Sequence, residues 1–258
     1  MQVGRPGATG IAWSSLPVRF RVRKTREREP NKAEISIVNP APESIAVAQE
    51  EGAIVRLLAG YGIPQQLFIG GIDRQEVVRE RTDRILRIEA TDGGRRFREA
   101  RLDRSYAAGT SVATIFADLA EALGLDTANL DLPDRAFAEA VIVSGPVRDT
   151  LDRFAAALGL EWFVQDGQPQ IFPADATTET GPLISATTGM VGSPRRTIDD
   201  KDRAGVQVRS LLLPGLQPTQ RFELQARDVA GVYRVDKVEH VGDSSGGDWH
   251  TIIEGLLT

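Results

Sequence analysis

The chain carries only two histidines, and both fall in one stretch near its end, GVYRVDKVEHVGDSSGGDWHTIIEG, Gly231 to Gly255. Between His240 and His250 lie Asp243, Ser244, Ser245 and Asp248. Imidazole, carboxylate and hydroxyl are the groups of a hydrolytic site. Two histidines facing each other across paired strands could also share a metal, with Asp243 or Asp248 as third ligand. The same residues make sense without any chemistry. Gly242 to Asp248 is composed of turn formers, so the stretch reads as a β-hairpin. Symmetric pairing around that loop sets Val241 against Trp249 and His240 against His250. Trp249, Thr251 and Ile253 then share one face, as core residues would. A triad also needs an oriented base and an oxyanion hole, and neither is legible here. The hairpin reading is favoured; a metal or acid–base site at His240, Asp243 and His250 is the enzymatic alternative. On the first strand Tyr233 and Val235 share a face while Val238 falls on the other, which predicts a bulge near Asp236-Lys237.

Other clusters have plainer readings. Asp199, Asp200 and Asp202 lack the spacing of an EF-hand and read as a solvated loop. Gly70-Gly71 and Gly93-Gly94 match neither a dinucleotide-binding nor a Walker pattern, and read as turns or bulges. The basic face Arg19, Arg21, Arg23 and the stretch GGRRFREARLDR read as solvated strand faces. There is no cysteine, which removes disulfides, thiolate metal sites and cysteine nucleophiles. With 31 basic and 36 acidic residues the net charge is −5, which disfavours a general polyanion-binding surface. No cofactor is expected. No apolar run reaches the ~20 residues of a membrane span, so no membrane insertion is expected. MQVGRPGATGIAWSSLP lacks the apolar segment of a secretory signal, and residues 1–14 read as a flexible arm.

The elements that must position these residues follow from periodicity. In LPVRFRVRK, Val18, Phe20 and Val22 alternate with arginines, a half-buried strand. AEISIV repeats the pattern, after a charged turn broken by Pro30. APESIAVAQEEG reads as a short helix with Pro42 near its start and Gly52 as its stop. AIVRLLAGYG, QQLFIGGI and the two halves of QEVVRERTDRILRIEATDGG read as further strands. In GTSVATIFADLAEALGLD, Val112, Ile115, Phe116, Leu119 and Leu123 form a helical stripe, with Thr110 or Ser111 as cap and Gly124 as stop. A second such helix, with Val147, Leu151, Phe154 and Leu158, has Pro146 at its first turn and ends at Gly159. It feeds a hairpin around Asp166-Gly167, and AVIVSG before it is a strand. MVGSPRRTIDDKDRAG reads as a long loop. GVQVRSLLLPG and TQRFELQAR are strands that precede the terminal hairpin. The fold class is α+β: a β-rich region at 15–97, a small α/β module at 98–176, and a second β-rich region at 177–258. The two β regions are either separate barrels or one domain carrying the module as an insertion.

This order of modules, with several phrases, resembles the baseplate hub proteins of long-tailed bacteriophages and, more distantly, the hub part of type VI secretion spikes. The phrases are LFIGGIDR, RSYAAGTSVATIFADLAEALGL, GPVRDTLDRFAAALGLEWFVQDGQPQIFP, GMVGSPRR, SLLLPGLQPTQRFEL and the terminal hairpin. The resemblance implies two tube-like β-barrel regions and a homotrimeric ring joining the sixfold tail tube to the threefold spike. It implies a structural protein of the virion baseplate, assembled in the host cytoplasm, and not an enzyme. The implied partners are the tail tube or distal tail protein, the central spike and the tape measure protein. DNA would pass through the ring without specific binding, and the strand faces bearing Glu223 and Glu239 would line that channel. Larger insertions or a fused lysozyme domain, found in many hubs, do not occur in this sequence.

Overall fold

The structure is a computed structural model. It describes the whole chain except residues 28, 94–96, 98, 125–131, 174, 175, 178, 179, 200 and 201, and the side chain of residue 180. The first β region contains β1 (Gln2–Gly4), β2 (Ile11–Ala12), β3 (Val18–Thr25), β4 (Lys32–Val38), helix α1 (Pro42–Ala48), β5 (Ile54–Ala59), β6 (Gln65–Glu80) and β7 (Asp83–Thr91). The middle segment contains β8 (Arg101–Tyr106), α2 (Val112–Leu123), β9 (Val141–Pro146), α3 (Val147–Leu158), β10 (Leu160–Gln165) and β11 (Gln168–Pro173). The last region contains β12 (Thr180–Ser185), β13 (Arg195–Ile198), β14 (Ala204–Leu211), β15 (Arg221–Gln225), β16 (Ala230–Asp243) and β17 (Trp249–Leu257). These form two compact units: residues 1–26, 31–91 and 177–258 make one, and residues 27–30 with 92–176 make the other.

The α/β unit follows its local signals. Ser111 Oγ accepts the Thr114 N–H at 3.1 Å and opens α2, and Gly124 closes it with φ of 72°. Pro146 precedes α3, and Gly159 ends it with φ of 69°. Both glycines occupy the left-handed conformation that terminates a helix at little steric cost. Asp166 and Gly167, both at positive φ, form the turn that pairs β10 with β11, and β8 pairs with β9. The helical stripes meet Tyr106, Val143, Leu160, Trp162 and Ile171 in one core.

In the other unit both β regions join a single sheet of 13 strands, antiparallel except for the β12–β15 pair. Its main path runs β13-β14-β17-β16-β3-β4-β7-β6-β5-β1-β2, and the pairing of the described strands closes neither region into a ring. Two apolar cores lie on this sheet. One gathers Phe20, Ile35, Leu57, Phe68, Leu86 and their neighbours, and the other Val208, Phe222, Tyr233, Val235 and Ile253. The join is β3 against β16, Lys237 to Asp243 opposite Thr25 to Arg19.

Strand β16 makes that join possible. Along one side it pairs β17; along the other its first five residues pair β15 and its last seven pair β3. The change of partner falls at a bulge, because Val235 faces Gly255 and Lys237 faces Glu254, leaving Asp236 extra. The extra residue resets the alternation. Tyr233 and Val235 before it, and Val238, His240 and Gly242 after it, are all buried. A strand without the bulge would have turned one of these sets to solvent.

Three expectations change. Residues 1–14 are no loose arm: β1 pairs both β2 and β5, and Val3 and Trp13 are buried in the first core. The Gly- and Ser-rich composition concealed two apolar anchors whose burial holds the segment to the sheet edge. The stretch around GMVGSPRRTIDD contains β13, an edge strand on β14; only four residues pair, too few for a periodic signal. Helix α1 stops at Gln49, before the expected Gly52, which takes φ of 77° three residues later.

Gly242 shows how tightly the join is packed. It lies opposite both Phe20 and Trp249, whose rings meet edge-on at 5.5 Å. A Cβ there would run into the Phe20 ring and the Trp249 indole. Gly242→Ala is therefore expected to destabilise the fold by about 1–3 kcal/mol, read as a lower urea midpoint with an unchanged m-value.

Candidate functional site

The terminal hairpin sets the two histidines apart. His240 pairs Thr251, Val241 pairs His250, and Gly242 pairs Trp249. The expected pairing of His240 with His250 is off by one residue, and one residue reverses the face. The turn causes the offset. The Asp243 N–H donates to the Asp248 carbonyl at 2.8 Å, and Ser244 exchanges hydrogen bonds with the Val18 backbone at 2.9 and 2.8 Å. Pairing therefore persists beyond Gly242, and the loop shortens to Ser244–Asp248. His240 points into the core and His250 to the opposite, polar face, so the two do not converge on one ion.

His240 is fully buried beside Thr251 and Lys24. Thr251 Oγ1 accepts the Leu213 N–H at 2.9 Å and lies 2.9 Å from His240 Nδ1, so its own proton is available to that nitrogen. His240 Nε2 is buried without a hydrogen-bond partner among the described residues. Burial, and then the Lys24 ammonium, push the imidazole down from its ordinary 6.5 to about 3. Lys24 donates to Gln217 Oε1 at 3.1 Å. A basic side chain wholly inside the core is rare, and nothing in the alternation of LPVRFRVRK distinguishes Lys24 from a lysine at the strand's end.

Asp243 and His250 lie on the outer face with different roles. Asp243 Oδ1 accepts the Ser245 N–H, and Oδ2 accepts Arg19 Nε, each at 2.8 Å; these bonds hold its carboxyl below the usual range. His250 Nδ1 is 3.5 Å from an Asp248 carboxyl oxygen, while burial and Arg209 push its pKa down. Among the described residues neither serine hydroxyl hydrogen-bonds a histidine; Ser244 Oγ accepts the Val18 N–H instead. Among the described residues no group of three or more His, Asp or Glu side chains is placed to hold a metal. Asp199 is bound to Arg203 at 2.7 Å, and Asp200 lies outside the described residues. Gly70 packs where a Cβ would strike the Thr91 backbone and the Phe68 ring, two residues before the shift that leaves Asp73 extra in β6. Gly93 lies against Phe97 and Pro30, and Gly94 lies outside the described residues.

The outer face of the sheet is the continuous polar feature. Across it run rows of paired residues: Glu239–Arg23–Lys32, then Arg21–Glu34–Glu89–Arg74, then Asp243–Arg19–Ser36–Arg87–Glu76. Arg21 and Arg23 clasp the two oxygens of Glu239 at 2.9 and 3.2 Å. The Glu239 side chain is only 13% exposed while both arginines are 53% exposed, so the carboxylate lies beneath its cations. Glu223, on β15, is exposed opposite Val232 and accepts from Gln225 Nε2 at 2.6 Å. Alternation assigned Arg19, Arg21 and Arg23 to the exposed side. The clasp on Glu239 joins residues 218 and 216 positions apart in the chain and has no local sequence signal.

The fold is shared with solved tail proteins and with a type VI secretion component. The 43 kDa tail protein of prophage MuSo2 from Shewanella oneidensis has the same fold at a TM-score of 0.72 and 8% identity, over 99% of this chain and 96% of that one. A tail protein from Neisseria meningitidis matches at 0.69 and 11% identity, over 99% and 95%. An Escherichia coli component of the type VI secretion system, itself described as similar to phage T4 tail proteins, matches at 0.65 and 13% identity, over 100% and 77%. No protein-family model matches the chain, and no curated protein matches it in sequence.

The depressed His240 pKa makes stability depend on pH. The unfolded chain takes up a proton near pH 6.5 and the folded chain only near 3, so stability is full above 6.5 and falls as the pH drops through that window. The slope from this residue approaches about 1.4 kcal/mol per pH unit. Urea unfolding at pH 6.5 and pH 5 is expected to show a loss in the wild type that shrinks in His240→Gln.

Proposed function

We propose that this chain is a structural hub protein of a phage tail baseplate, working by assembly and not by catalysis. The observation that carries the reading is the shared fold with the MuSo2 tail protein along 99% of this chain and 96% of its counterpart. The match extends over nearly the whole of both chains, which supports reading them as counterparts. The residues that could have formed a hydrolytic site are spent on structure: His240 inside the core, Asp243 in a turn, His250 on the other face.

In this reading three copies form a ring. Each contributes two tube-like β regions, so the ring presents pseudo-sixfold symmetry to the tail tube and threefold symmetry to the spike. Support comes from the two separate apolar cores carried by one sheet, one in each β region. The tail tube or distal tail protein, the central spike and the tape measure protein are its partners, and the virion baseplate its location, after assembly in the host cytoplasm. The polar outer face, with Glu239 and Glu223, lines the channel through which DNA leaves.

Mass measurement of the purified chain in solution tests the stoichiometry. Three copies are expected; a stable monomer across concentrations, or six copies, would overturn the ring. In an image of the assembled ring, Glu223 and Glu239 are expected at the bore.

A further inference from the structure

The outer face is crowded with arginines that are exposed and yet already paired. Arg19 meets Asp243 at 2.8 Å, Arg21 and Arg23 share Glu239, Arg74 reaches Glu76 at 3.4 Å, and Arg87 binds Glu80 as well as Glu76. Their guanidinium side chains are between 47% and 66% exposed. These five arginines come from three strands, β3, β6 and β7, joined through β4, so they form one field and not scattered points.

We infer that this field is a latent duplex-DNA-binding surface held silent by the chain's own carboxylates. Affinity for a polyanion comes from cations that neutralise phosphates and release the DNA's condensed counterions. An arginine with a carboxylate already in place brings that negative charge to the phosphate and gains little from the exchange. The carboxylate is also tethered on the same or the neighbouring strand, so it competes at high effective concentration. Glu239 does this for two arginines at once. The result is a surface rich in cations that DNA can slide over without sticking. The purpose rests on the channel reading above, but the binding property belongs to the face itself and is measured independently of how many copies assemble.

The probe is a short blunt-ended DNA duplex, and the readout is filter binding or gel retardation across a salt series beginning near 50 mM. The wild type is expected not to retain the duplex. Glu239→Gln, which frees Arg21 and Arg23, is expected to bind it at least tenfold more tightly, with a log–log salt slope steeper by about 2. Glu76→Gln with Glu80→Gln, both at exposed positions on β6, is expected to bind as well. Adding Arg21→Gln and Arg23→Gln to Glu239→Gln is expected to restore silence. An unchanged unfolding midpoint identifies the variants that have kept their fold. Wild-type binding as tight as that of the variants would overturn the inference. So would silence in folded Glu239→Gln and in the folded Glu76/Glu80 double variant. Neither result bears on the mass measurement, and a monomeric chain whose Glu239→Gln variant binds DNA would refute the ring and leave this inference standing.

Discussion

Everything in the larger unit depends on the pairing of β3 with β16. Those strands come from opposite ends of the chain, yet they bring two β regions and two apolar cores onto one sheet. The pairing requires β16 to leave β15 and take up β3 part-way along its length, and the extra residue Asp236 is where this happens. The bulge is fixed in place by Arg26, whose N–H and guanidinium both reach Asp236, at 3.3 Å each. Bulges commonly mark points where a strand is re-aimed; here one allows the same strand to serve both cores, with Tyr233 and Val235 facing inward before it and Val238 and His240 after it.

The same join explains the distribution of polar groups on its two sides. Inward, Lys24, His240, Thr251 and Gln217 form a polar cluster where an aliphatic contact would have been simpler. The bonds from Thr251 to His240 and to Leu213 penalise any slip of register that would break them. Outward, the rows of arginine and carboxylate compensate one another across strands. Exposed ion pairs of this kind contribute little to stability individually; their main consequence is a face whose cations are cancelled locally. The chain's net charge of −5 does not reveal this, because it sums over the whole surface and not over one side of one sheet.

The polar residues of the terminal hairpin do not converge on one site. A catalytic site keeps polar groups convergent and accessible. Here the two histidines diverge, one is held neutral in the core, and the serines and aspartates of the hairpin serve its turn. What is continuous and exposed is a polar face that spans several strands.

The sequence alone determined the longer strands, whose alternation is visible in Val18, Phe20 and Val22, and the α/β unit, whose helices begin and end on local signals at Ser111, Gly124 and Gly159. It also placed the bulge, because Tyr233, Val235 and Val238 cannot share a face without an extra residue between them. Local periodicity and turn chemistry act within a few residues and so are written in the chain. Tertiary structure decided the rest. The one-residue register that separates His240 from His250 depends on Ser244 pairing with Val18, more than 200 residues away in sequence. The docking of Val3 and Trp13, the burial of Lys24 and the clasp of Arg21 and Arg23 on Glu239 likewise join segments that carry no mark of one another. Which strand lies beside which is set by burial and hydrogen bonding over the whole sheet, and only the folded chain specifies it.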